Sequence, residues 1–325
     1  MLIISSTQTS ECHQLKRQMT RRILVTGSGG FLGRAFCKAA QQPGTEVIAV
    51  GGRQAGAQPN GLRLDITDRA SVRSLVRELK PTHVLNLASR GVTRDQSTLA
   101  QLLAVNTIGA LNIVEGLMEE GLTPHTLLFG TAYEYQDTDQ RLGETHQLAP
   151  QSPYAISKTT LHFALRQYAG AAPLTFLRLF NVFGPGEPAD RLIPFIASKA
   201  MAGEPIPLTR GEQQRDFMFI DDLIAIILCL LAPDTTQTEG EQRMRTLNIG
   251  TGRGIPLRDF IEIVAVHLRR LGLEPRPEFG ALPYRTQDPM RCVCDNSAMI
   301  DAIGEFPFAD LSDAIGKTVE ALHAQ

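Results

Sequence analysis

A tyrosine and a lysine that could exchange protons stand four residues apart, at Tyr154 and Lys158. Residues with this spacing share one face of a helix, and the preceding Ser152 and Pro153 are typical of a helix start. A phenol has a pKa of about 10, and a neighbouring ammonium group favours the phenolate and lowers that value. For the pair alone, a surface tyrosine lying over a lysine is the simpler interpretation. At a ligand site, the same pair would make Tyr154 a usable acid or base.

Thr131 adds a hydroxyl group to this pair. It ends the apolar run 126–130, which is typical of a buried strand. A hydroxyl at a strand end can hydrogen-bond a substrate oxygen and share its developing charge. With a nicotinamide to supply or accept hydride, we expect Thr131, Tyr154 and Lys158 to interconvert an alcohol and a ketone.

A glycine-rich turn could hold such a cofactor. The segment 26–33 reads Thr-Gly-Ser-Gly-Gly-Phe-Leu-Gly and separates an apolar run at 22–25 from a helical pattern at 34–40. Glycines allow a sharp turn and a close approach to a ligand, while the N–H groups of the new helix favour a diphosphate. The spacing is G-x-x-G-x-x-G, and an ordinary turn is the alternative. The residues expected to contact the dinucleotide here are Gly27, Gly30, Phe31, Leu32 and Gly33.

The end of the next apolar run bears on which dinucleotide binds. The strand predicted at 45–50 is followed by Gly51, Gly52 and Arg53. NAD-binding units place a carboxylate near this strand end for the ribose hydroxyls, whereas an arginine accommodates the 2′-phosphate of NADP. The missing carboxylate and the presence of Arg53 favour NADP, with NAD as the alternative. An arginine in a loop can also be plain solvated surface.

Strand-like runs alternate with helical patterns over the first half of the chain. Further runs at 62–66, 82–88 and 126–131 extend the alternation, which implies an α/β fold with a doubly wound parallel sheet of the Rossmann type. Beyond Phe183 the alternation loosens, so we expect a smaller C-terminal substrate lobe. The predicted organisation is a flexible extension at 1–20, a dinucleotide-binding domain at 21–182 with return segments at about 215–231 and 245–250, and a substrate lobe at 183–214 and 251–325.

Composition narrows the possible partners. The 325 residues are 43% hydrophobic and carry a formal net charge of −2, which provides no global field for nucleic acid or an anionic membrane. The five cysteines are scattered without paired metal-ligand spacing, so no disulfide framework and no metal site are expected. No apolar run reaches membrane-spanning length, and residues 1–19 lack the apolar core of a signal peptide. We therefore expect a cytoplasmic protein with a small-molecule ligand.

These residues resemble the extended short-chain dehydrogenase/reductase family, in the branch that acts on nucleotide-linked sugars. The resemblance runs from Arg21 to the C-terminus. Its motifs are Thr-Gly-x-x-Gly-x-x-Gly at 26–33, Asp65-Ile66, Asn86-Leu87-Ala88, Val-Asn-Thr-Ile-Gly at 105–109, Thr131 with Tyr135, Tyr154-x-x-x-Lys158, the segment 177–185, Arg215-Asp216-Phe217 and Leu-Asn-Ile-Gly at 247–250.

The resemblance implies roles for individual residues. At the cofactor, Asp65 and Ile66 would contact the adenine, and Lys158 would also hold the nicotinamide ribose. The matching motifs place further cofactor contacts at Leu87, Ala88 and Asn106. At the substrate, the residues implied are Asn181 and Arg191, Arg215 at the diphosphate, and the R-x-x-D segment in which Arg285 meets the diphosphate and Asp288 the nucleoside ribose. Arginine suits phosphate oxygens, although Arg285 could also be a solvated loop residue.

In the resembling family, enzymes that catalyse different reactions have different residues just after the position of Thr131. Its sugar 4,6-dehydratases have an acidic pair there, whereas this chain has Ala132 and Tyr133. Glu134 comes one residue later, and on an extended segment it would point to the opposite face. The groups that GDP-fucose synthase uses for epimerisation are replaced by Tyr133 and Gly186. We therefore expect an NADPH-dependent reductase of a nucleotide-linked 4-keto-6-deoxysugar, an interpretation that a short similarity at 133–135 to CDP-abequose synthase-type reductases supports.

Two other functions stay open at this point. An NAD-dependent nucleotide-sugar 4-epimerase needs only hydride transfer, Tyr154 and a keto-sugar that can rotate. A dinucleotide-binding sensor could keep the fold without catalysis, although Thr131, Tyr154 and Lys158 are all present. The helices at 99–120 and after Ser152 carry more apolar residues than one sheet face needs, and in the resembling family they form a dimer interface. We expect a homodimer, with packing inside one subunit as the alternative.

Overall fold

A seven-stranded parallel sheet forms the centre of the computed structural model, which describes residues 21–52, 62–91, 97–232, 244–284 and 288–324. Each strand pairs in parallel with its neighbours, which confirms the predicted doubly wound sheet. In spatial order the strands are β11 (Met244–Ile249), β6 (Leu174–Leu179), β5 (His125–Thr131), β4 (His83–Asn86), β1 (Arg21–Thr26), β2 (Thr45–Gly51) and β3 (Leu62–Arg63).

Helices follow the strands, and the helix start predicted at Ser152 matches the cap observed. The Ser152 hydroxyl accepts a hydrogen bond from Ala155 N, and the Asp68 carboxylate caps another helix by accepting from Ala70 N and Ser71 N. The helices are α1 (Phe31–Ala39), α2 (Arg69–Leu79), α3 (Leu99–Leu102), α4 (Ala110–Glu119), α5 (Pro153–Leu165), α6 (Leu192–Met201), α7 (Ile220–Leu230), α8 (Leu257–Arg270), α9 (Ser297–Ile303) and α10 (Leu311–His323).

The helix predicted at 99–120 contains a π-helical segment at Leu103–Gly109, which joins α3 to α4. Such segments are frequent at functional sites, because the wider turn redirects side chains. By length and mean hydropathy, Leu99–Glu119 could cross a membrane, contrary to the expectation drawn from the sequence. However, 56% of its most apolar stretch is buried inside the structure. Packing against the rest of the fold therefore accounts for its apolar character.

The second half of the chain contributes three small sheets. They consist of β7 (Asn181–Phe183) with β10 (Phe217–Phe219), of β9 (Gln214–Arg215) between β12 (Ile255–Pro256) and β14 (Arg291–Cys292), and of β8 (Pro205–Leu208) with β13 (Arg276–Phe279). The largest apolar cluster is continuous from the main sheet to α7, α8 and α10. One core thus fixes the short strands relative to the carboxyl ends of β4, β5 and β6, where ligands bind in sheets of this kind.

Candidate active site

The glycine turn lies between β1 and α1, and its backbone leaves no room for side chains at two positions. Gly27 has φ of +69°, in the left-handed region that favours glycine. A Cβ atom there would lie within 2.7 Å of the backbone of Leu87 and Ala88, which follow β4. At Gly33 a Cβ atom would lie under 3.0 Å from the backbone of Gly27 and Ser28. The turn is therefore packed against the strand end at Leu87 and Ala88, whose cofactor contacts stay a prediction.

The start of α1 offers hydrogen-bond donors to a ligand. The helix cannot satisfy the N–H groups of its own first turn, which begins at Phe31 after the exposed Gly30. Phe31 and Leu32 are half-buried at this end of the helix. The buried hydroxyl of Ser28 has no hydrogen-bond partner among the described residues. These donors fit the diphosphate of a dinucleotide, which Gly27, Gly30 and Gly33 would allow to approach.

The two residues implied at the adenine follow β3. Asp65 Oδ1 accepts hydrogen bonds from the N–H and the hydroxyl of Thr67, at 3.0 and 2.7 Å. Ile66 is 6% exposed, and its carbonyl accepts a hydrogen bond of 2.9 Å from Asn112 Nδ2. The side chain of Ile66 packs on Gly109, where a Cβ atom would lie 2.6 Å away from it. The segment is thus held in place, and its adenine contacts stay a prediction.

The strand end that bears on cofactor type is described only up to position 52. Gly51 ends β2, and Gly52 is exposed with open space where a side chain would begin. Arg53, predicted to favour NADP, lies outside the described residues.

Asn106 lies in the π-helical segment and is 1% exposed. Its Oδ1 accepts hydrogen bonds from Ser89 Oγ and Arg90 N, and its Nδ2 donates to Arg90 O and to Ser157 Oγ, at 2.8 to 3.2 Å. All four hydrogen-bonding positions of this amide are therefore used within the protein. The Asn106 side chain joins the loop after β4 to α5, and the cofactor contact implied for Asn106 stays a prediction.

Tyr154 and Lys158 share one face of α5, as their spacing requires. Tyr154 is half-buried, and its phenol hydrogen-bonds to Ser89. The Lys158 Nζ atom lies 5.7 Å from the centre of the Tyr154 ring, and the lysine is 4% exposed. The two side chains are therefore close, with the ammonium group in the protein interior.

Burial dominates the ionisation of both groups. It raises the pKa of Tyr154 to about 12, although Ser89 and Arg191 act in the opposite direction. It lowers the pKa of Lys158 to about 8, although Glu134 acts to raise it. The expected lowering of the Tyr154 pKa by Lys158 is thus wrong for this structure, because desolvation of the phenolate is the largest effect. At neutral pH, Tyr154 is a protonated phenol and Lys158 is mainly an ammonium ion.

Thr131 ends β5 and begins a 3₁₀ turn, Ala132–Glu134, against which α5 packs. An extended segment was expected after Thr131, whereas the structure has a 3₁₀ turn there. The Glu134 side chain nevertheless lies in the protein interior. It is fully buried, and its carboxylate accepts a hydrogen bond of 2.8 Å from Thr131 N. Its second oxygen pairs with Arg178 Nε at 2.9 Å. Glu134 therefore anchors the turn rather than facing a substrate.

Tyr133 links the Thr131 turn to the predicted substrate residue Asn181. The Tyr133 hydroxyl donates to Asn181 Oδ1 at 3.1 Å, and Asn181 N donates to Asp216 O at 3.1 Å. The buried Asp216 carboxylate accepts hydrogen bonds from Thr251 N, Thr251 Oγ1, Gly252 N and Cys294 N. Asp216 thus joins the strand that carries Arg215 to the end of β11 and the segment after β14.

The three remaining described substrate residues lie on neighbouring segments. Arg215 is 5% exposed, and its Nη2 atom lies 2.6 Å from Asp288 Oδ1. Arg191 donates to Val182 O at 3.0 Å, and its charge acts on both Tyr133 and Tyr154. Arg285 lies outside the described residues.

A pocket of about 340 Å³ opens beside the Thr131 turn. This volume is within the range of small-molecule sites. Its walls carry hydroxyl, amide, carboxylate and guanidinium groups, which suit a polar ligand. They include Tyr133, Gln136, Gln151, Asp288, Arg291 and Cys292.

Sequence reasoning missed two features of this site. Ser89, which contacts Tyr154, belongs to no motif, although its position just after β4 could have indicated it. The buried pair of Glu134 and Arg178 was also missed, because an extended segment was assumed after Thr131.

Sequence comparison finds a matching family and similar proteins of known function. A model of the NAD dependent epimerase/dehydratase family matches residues 23–250. The chain is 28% identical to dTDP-glucose 4,6-dehydratase of Xanthomonas campestris pv. campestris, over 91% of this chain and 92% of that protein. It is 25% identical to GDP-6-deoxy-D-talose 4-dehydrogenase of Aggregatibacter actinomycetemcomitans, over 87% of this chain and 91% of that protein.

A solved structure extends the likeness to the fold. The UDP-glucose 4-epimerase of Thermus thermophilus, solved in complex with NAD, has a TM-score of 0.78 to this chain at 24% identity, covering 93% of this chain and 99% of that one. The family match spans the glycine turn, Thr131, Tyr154 and Lys158. The chain is therefore an enzyme that belongs to the NAD-dependent epimerase/dehydratase family of nucleotide-sugar enzymes, within the extended short-chain dehydrogenases/reductases.

Proposed function

We propose that this enzyme is an NADPH-dependent reductase of a nucleotide-linked 4-keto-6-deoxysugar. The observation that carries the proposal is the protonated phenol of Tyr154, held by Ser89 beside Lys158, on the helix that packs against the Thr131 turn. A phenol with a pKa of about 12 is a proton donor to the oxygen of a ketone that is being reduced.

The protein groups have distinct parts in this reaction. A nicotinamide bound over the glycine turn would supply hydride to the carbonyl carbon. Tyr154 gives its proton to the carbonyl oxygen, and the Thr131 hydroxyl hydrogen-bonds the same oxygen as its charge develops. The Lys158 ammonium then stabilises the phenolate left on Tyr154 until solvent reprotonates it.

Dehydration is disfavoured by the side chains after Thr131. Elimination of water needs an acid and a base near the sugar, but Ala132 has no ionisable group and the hydroxyl of Tyr133 is bonded to Asn181. Glu134 is held under the turn by Arg178 and Thr131. The likeness to a dehydratase therefore supports the substrate class and not the elimination step.

The substrate residues support a nucleoside diphosphate sugar. Arg215 and Asp288 lie beside the pocket with Asn181 and Arg191 nearby, and arginine forks bind phosphate oxygens well. The names of the similar proteins, a dTDP-glucose dehydratase and a GDP-sugar 4-dehydrogenase, agree with this class.

The preference for NADP rests on the end of β2. Positions 51 and 52 are glycine and the next residue is Arg53, so a 2′-phosphate would meet a guanidinium group in place of a carboxylate. We expect Arg53→Ala to weaken NADPH binding by about tenfold and to leave NADH binding unchanged, as measured by fluorescence titration of the reduced cofactors. An equal loss for both cofactors would contradict this preference.

A nucleotide-sugar 4-epimerase is the second candidate, favoured by the fold of the UDP-glucose 4-epimerase solved with NAD. Incubation with a nucleotide-linked 4-keto-6-deoxysugar and NADPH or NADH separates the two. A reductase consumes one reduced cofactor for each sugar, followed by absorbance of the reduced nicotinamide. An epimerase instead interconverts UDP-glucose and UDP-galactose without net consumption, and that result would overturn the reductase proposal.

We also propose a cytoplasmic homodimer. Ile108 in the π-helical segment is 51% exposed and Phe163 on α5 is 50% exposed, although both are large apolar side chains. Leu99 on α3 is 39% exposed. Apolar residues on neighbouring helices would be covered by a second copy related by a twofold axis.

A further inference from the structure

Glu134 is a fully buried carboxylate directly beneath the Thr131 turn. Its Oε1 atom accepts the hydrogen bond from Thr131 N, and the Thr131 hydroxyl accepts a hydrogen bond from Tyr133 N, so both side chains bond to the backbone of the turn. This reciprocal arrangement fixes the backbone at Thr131 on both sides of its side chain. A change at Glu134 therefore reaches the Thr131 hydroxyl through one hydrogen bond.

The other carboxylate oxygen of Glu134 faces Arg178, which is 1% exposed. Arg178 in turn donates from Nη1 to Tyr135 Oη at 2.9 Å, and its Nη2 lies 3.1 Å from His162 Nδ1. Tyr135 donates to Asn248 Oδ1 at 2.7 Å. A buried charge is tolerated when it is paired and hydrogen-bonded, and this network meets that condition on every side of the guanidinium.

The same carboxylate acts on the two groups that handle the proton. Glu134 opposes the effect of burial on Lys158 and favours its ammonium form, and it disfavours the phenolate of Tyr154. The other charge acting on Tyr154 is Arg191, from the start of α6. Ser89 and Ser157 provide neutral hydroxyl groups around the pair. Burial raises the pKa of Glu134, while Arg178, the hydrogen bond from Thr131 N and Lys158 act in the opposite direction.

We propose that Glu134 is a positioning residue: its buried carboxylate, bonded to Thr131 N and paired with Arg178, holds the Thr131 turn against the helix that carries Tyr154 and Lys158. The inference rests on the proposed reductase, since only a reaction that uses these protons would be sensitive to it. The carboxylate is fully buried, so it acts through the backbone of Thr131 and through its charge.

Removal of the charge has a defined direction. Without the carboxylate, the pKa of Lys158 falls and that of Tyr154 also falls, since Glu134 raises both. Reduction needs the protonated phenol, so the alkaline limb of the rate profile moves to lower pH when Glu134 is neutralised. We expect a shift of roughly 1 pH unit, as is usual for the loss of a nearby buried charge.

Two variants separate this effect from a loss of folding. Glu134→Gln keeps the acceptor for Thr131 N but leaves Arg178 as an unpaired buried charge, which alone can destabilise the chain. The double variant E134Q/R178M removes both charges and avoids that penalty. Glu120→Gln is the matched control, because Glu120 is ion-paired with Arg73 and Arg77 outside this network.

The titration of Lys158 is followed by NMR of the chain labelled with ¹³C at the lysine ε-carbons, with Lys158→Arg used to assign the resonance. The pH profile of keto-sugar reduction is measured in parallel for each variant. We expect Glu134→Gln to titrate roughly 1 pH unit lower than the wild-type chain and Glu120→Gln to be unchanged. E134Q/R178M should shift less in the same direction, because it also loses the positive charge of Arg178.

The two proposals fail in different ways. If the wild-type chain does not reduce a keto-sugar, the proposed function fails, while the NMR titration still tests the action of Glu134 on Lys158. If the wild-type chain is active and neither variant changes the titration or the rate profile, Glu134 is merely structural and the inference is overturned.

Discussion

The guanidinium group of Arg215 lies 2.6 Å from the carboxylate of Asp288, so two residues expected at different parts of a nucleotide hold each other. Arg215 Nη1 also donates to Gln214 O at 2.9 Å, and Gln213 Nε2 donates to Asp288 Oδ2 at 3.3 Å. These contacts orient the arginine beside the pocket. A side chain that is already ordered loses less conformational entropy when a ligand binds.

Replacement of Arg215 should therefore weaken nucleotide binding. We expect Arg215→Gln to raise the Kd for a nucleoside diphosphate by about 10- to 100-fold, the value of one or two charge-assisted hydrogen bonds. Isothermal titration calorimetry with UDP, dTDP, GDP and CDP measures the effect and identifies the preferred base. Arg270→Gln on the exposed face of α8 is the control. Unchanged affinity in Arg215→Gln for the base bound best would place the diphosphate elsewhere.

Loss of the Tyr154 hydroxyl should stop the reaction without stopping binding. We expect Tyr154→Phe to lower kcat by about 10²- to 10⁴-fold, because general acid catalysis by one group contributes that much. The phenyl ring still packs against Lys158, so binding of the reduced cofactor should stay within twofold, about 0.4 kcal/mol. Rapid-mixing measurements of cofactor absorbance and fluorescence separate the two. A variant with wild-type kcat would exclude Tyr154 as the proton donor.

Local patterns in the sequence predicted the fold and much of the site. The strand ends that carry Thr131 and the glycine turn follow from short apolar runs and from glycine spacing, which are local properties. The face shared by Tyr154 and Lys158 follows from helix geometry alone. Ser152 was recognised as a cap because its side chain bonds to the backbone only three residues away.

The features that escaped sequence reasoning depend on contacts between distant segments. Glu134 and Arg178 are 44 residues apart, and neither residue alone indicates a buried ion pair. The motif around Asn106 indicated a cofactor contact but not the hydrogen bonds of its amide to Arg90 and to Ser157, which is 51 residues away. The pKa of Tyr154 was expected to fall, but burial raises it. The sequence does not reveal that burial.

The glycine turn provides a test that needs no substrate. Gly33→Ala would place a Cβ atom under 3.0 Å from the backbone of Gly27 and Ser28, whereas Gly52→Ala meets nothing within 4 Å. We expect Gly33→Ala to destabilise the chain by about 1–3 kcal/mol and to abolish measurable dinucleotide binding. Thermal unfolding with and without NADP or NAD compares the two variants. If Gly33→Ala kept the stabilisation by dinucleotide, the ligand would not sit on this turn.

The exposed apolar residues on α5 and in the π-helical segment test the proposed dimer. We expect Phe163→Asp or Ile108→Asp to convert the dimer into a monomer, since a buried carboxylate without a partner disfavours association. Met201→Asp is the control, because Met201 is 54% exposed on α6, away from these two helices. Sedimentation velocity reports the mass of each form. A wild-type monomer at micromolar concentration, or a Phe163→Asp dimer, would show that these residues do not form the interface.

Stability in acid should depend on His125, at the start of β5. Burial lowers the pKa of His125 to about 4 from its ordinary value of 6.5, and the charges of His83 and Arg245 act in the same direction. Its Nε2 lies 2.9 Å from Thr175 Oγ1, and its Nδ1 has no hydrogen-bond partner among the described residues. The neutral ring is therefore the form that the folded chain accommodates.

The sign of the pH effect follows from this difference. Above pH 6.5 the ring is neutral in both states, so its contribution to stability is complete; between pH 6.5 and 4 only the unfolded chain takes up the proton. As the pH falls from 6.5 to 4, the free energy of unfolding should therefore decrease by up to about 1.4 kcal/mol per pH unit. Urea unfolding at several pH values should give a shallower slope for His125→Gln, whereas the exposed His323→Gln should behave as the wild-type chain does. Burial also lowers the pKa of His162, to about 3, so His162 contributes to the slope as well. Part of the slope therefore remains in every variant. An identical slope in His125→Gln would show that His125 does not contribute to acid sensitivity.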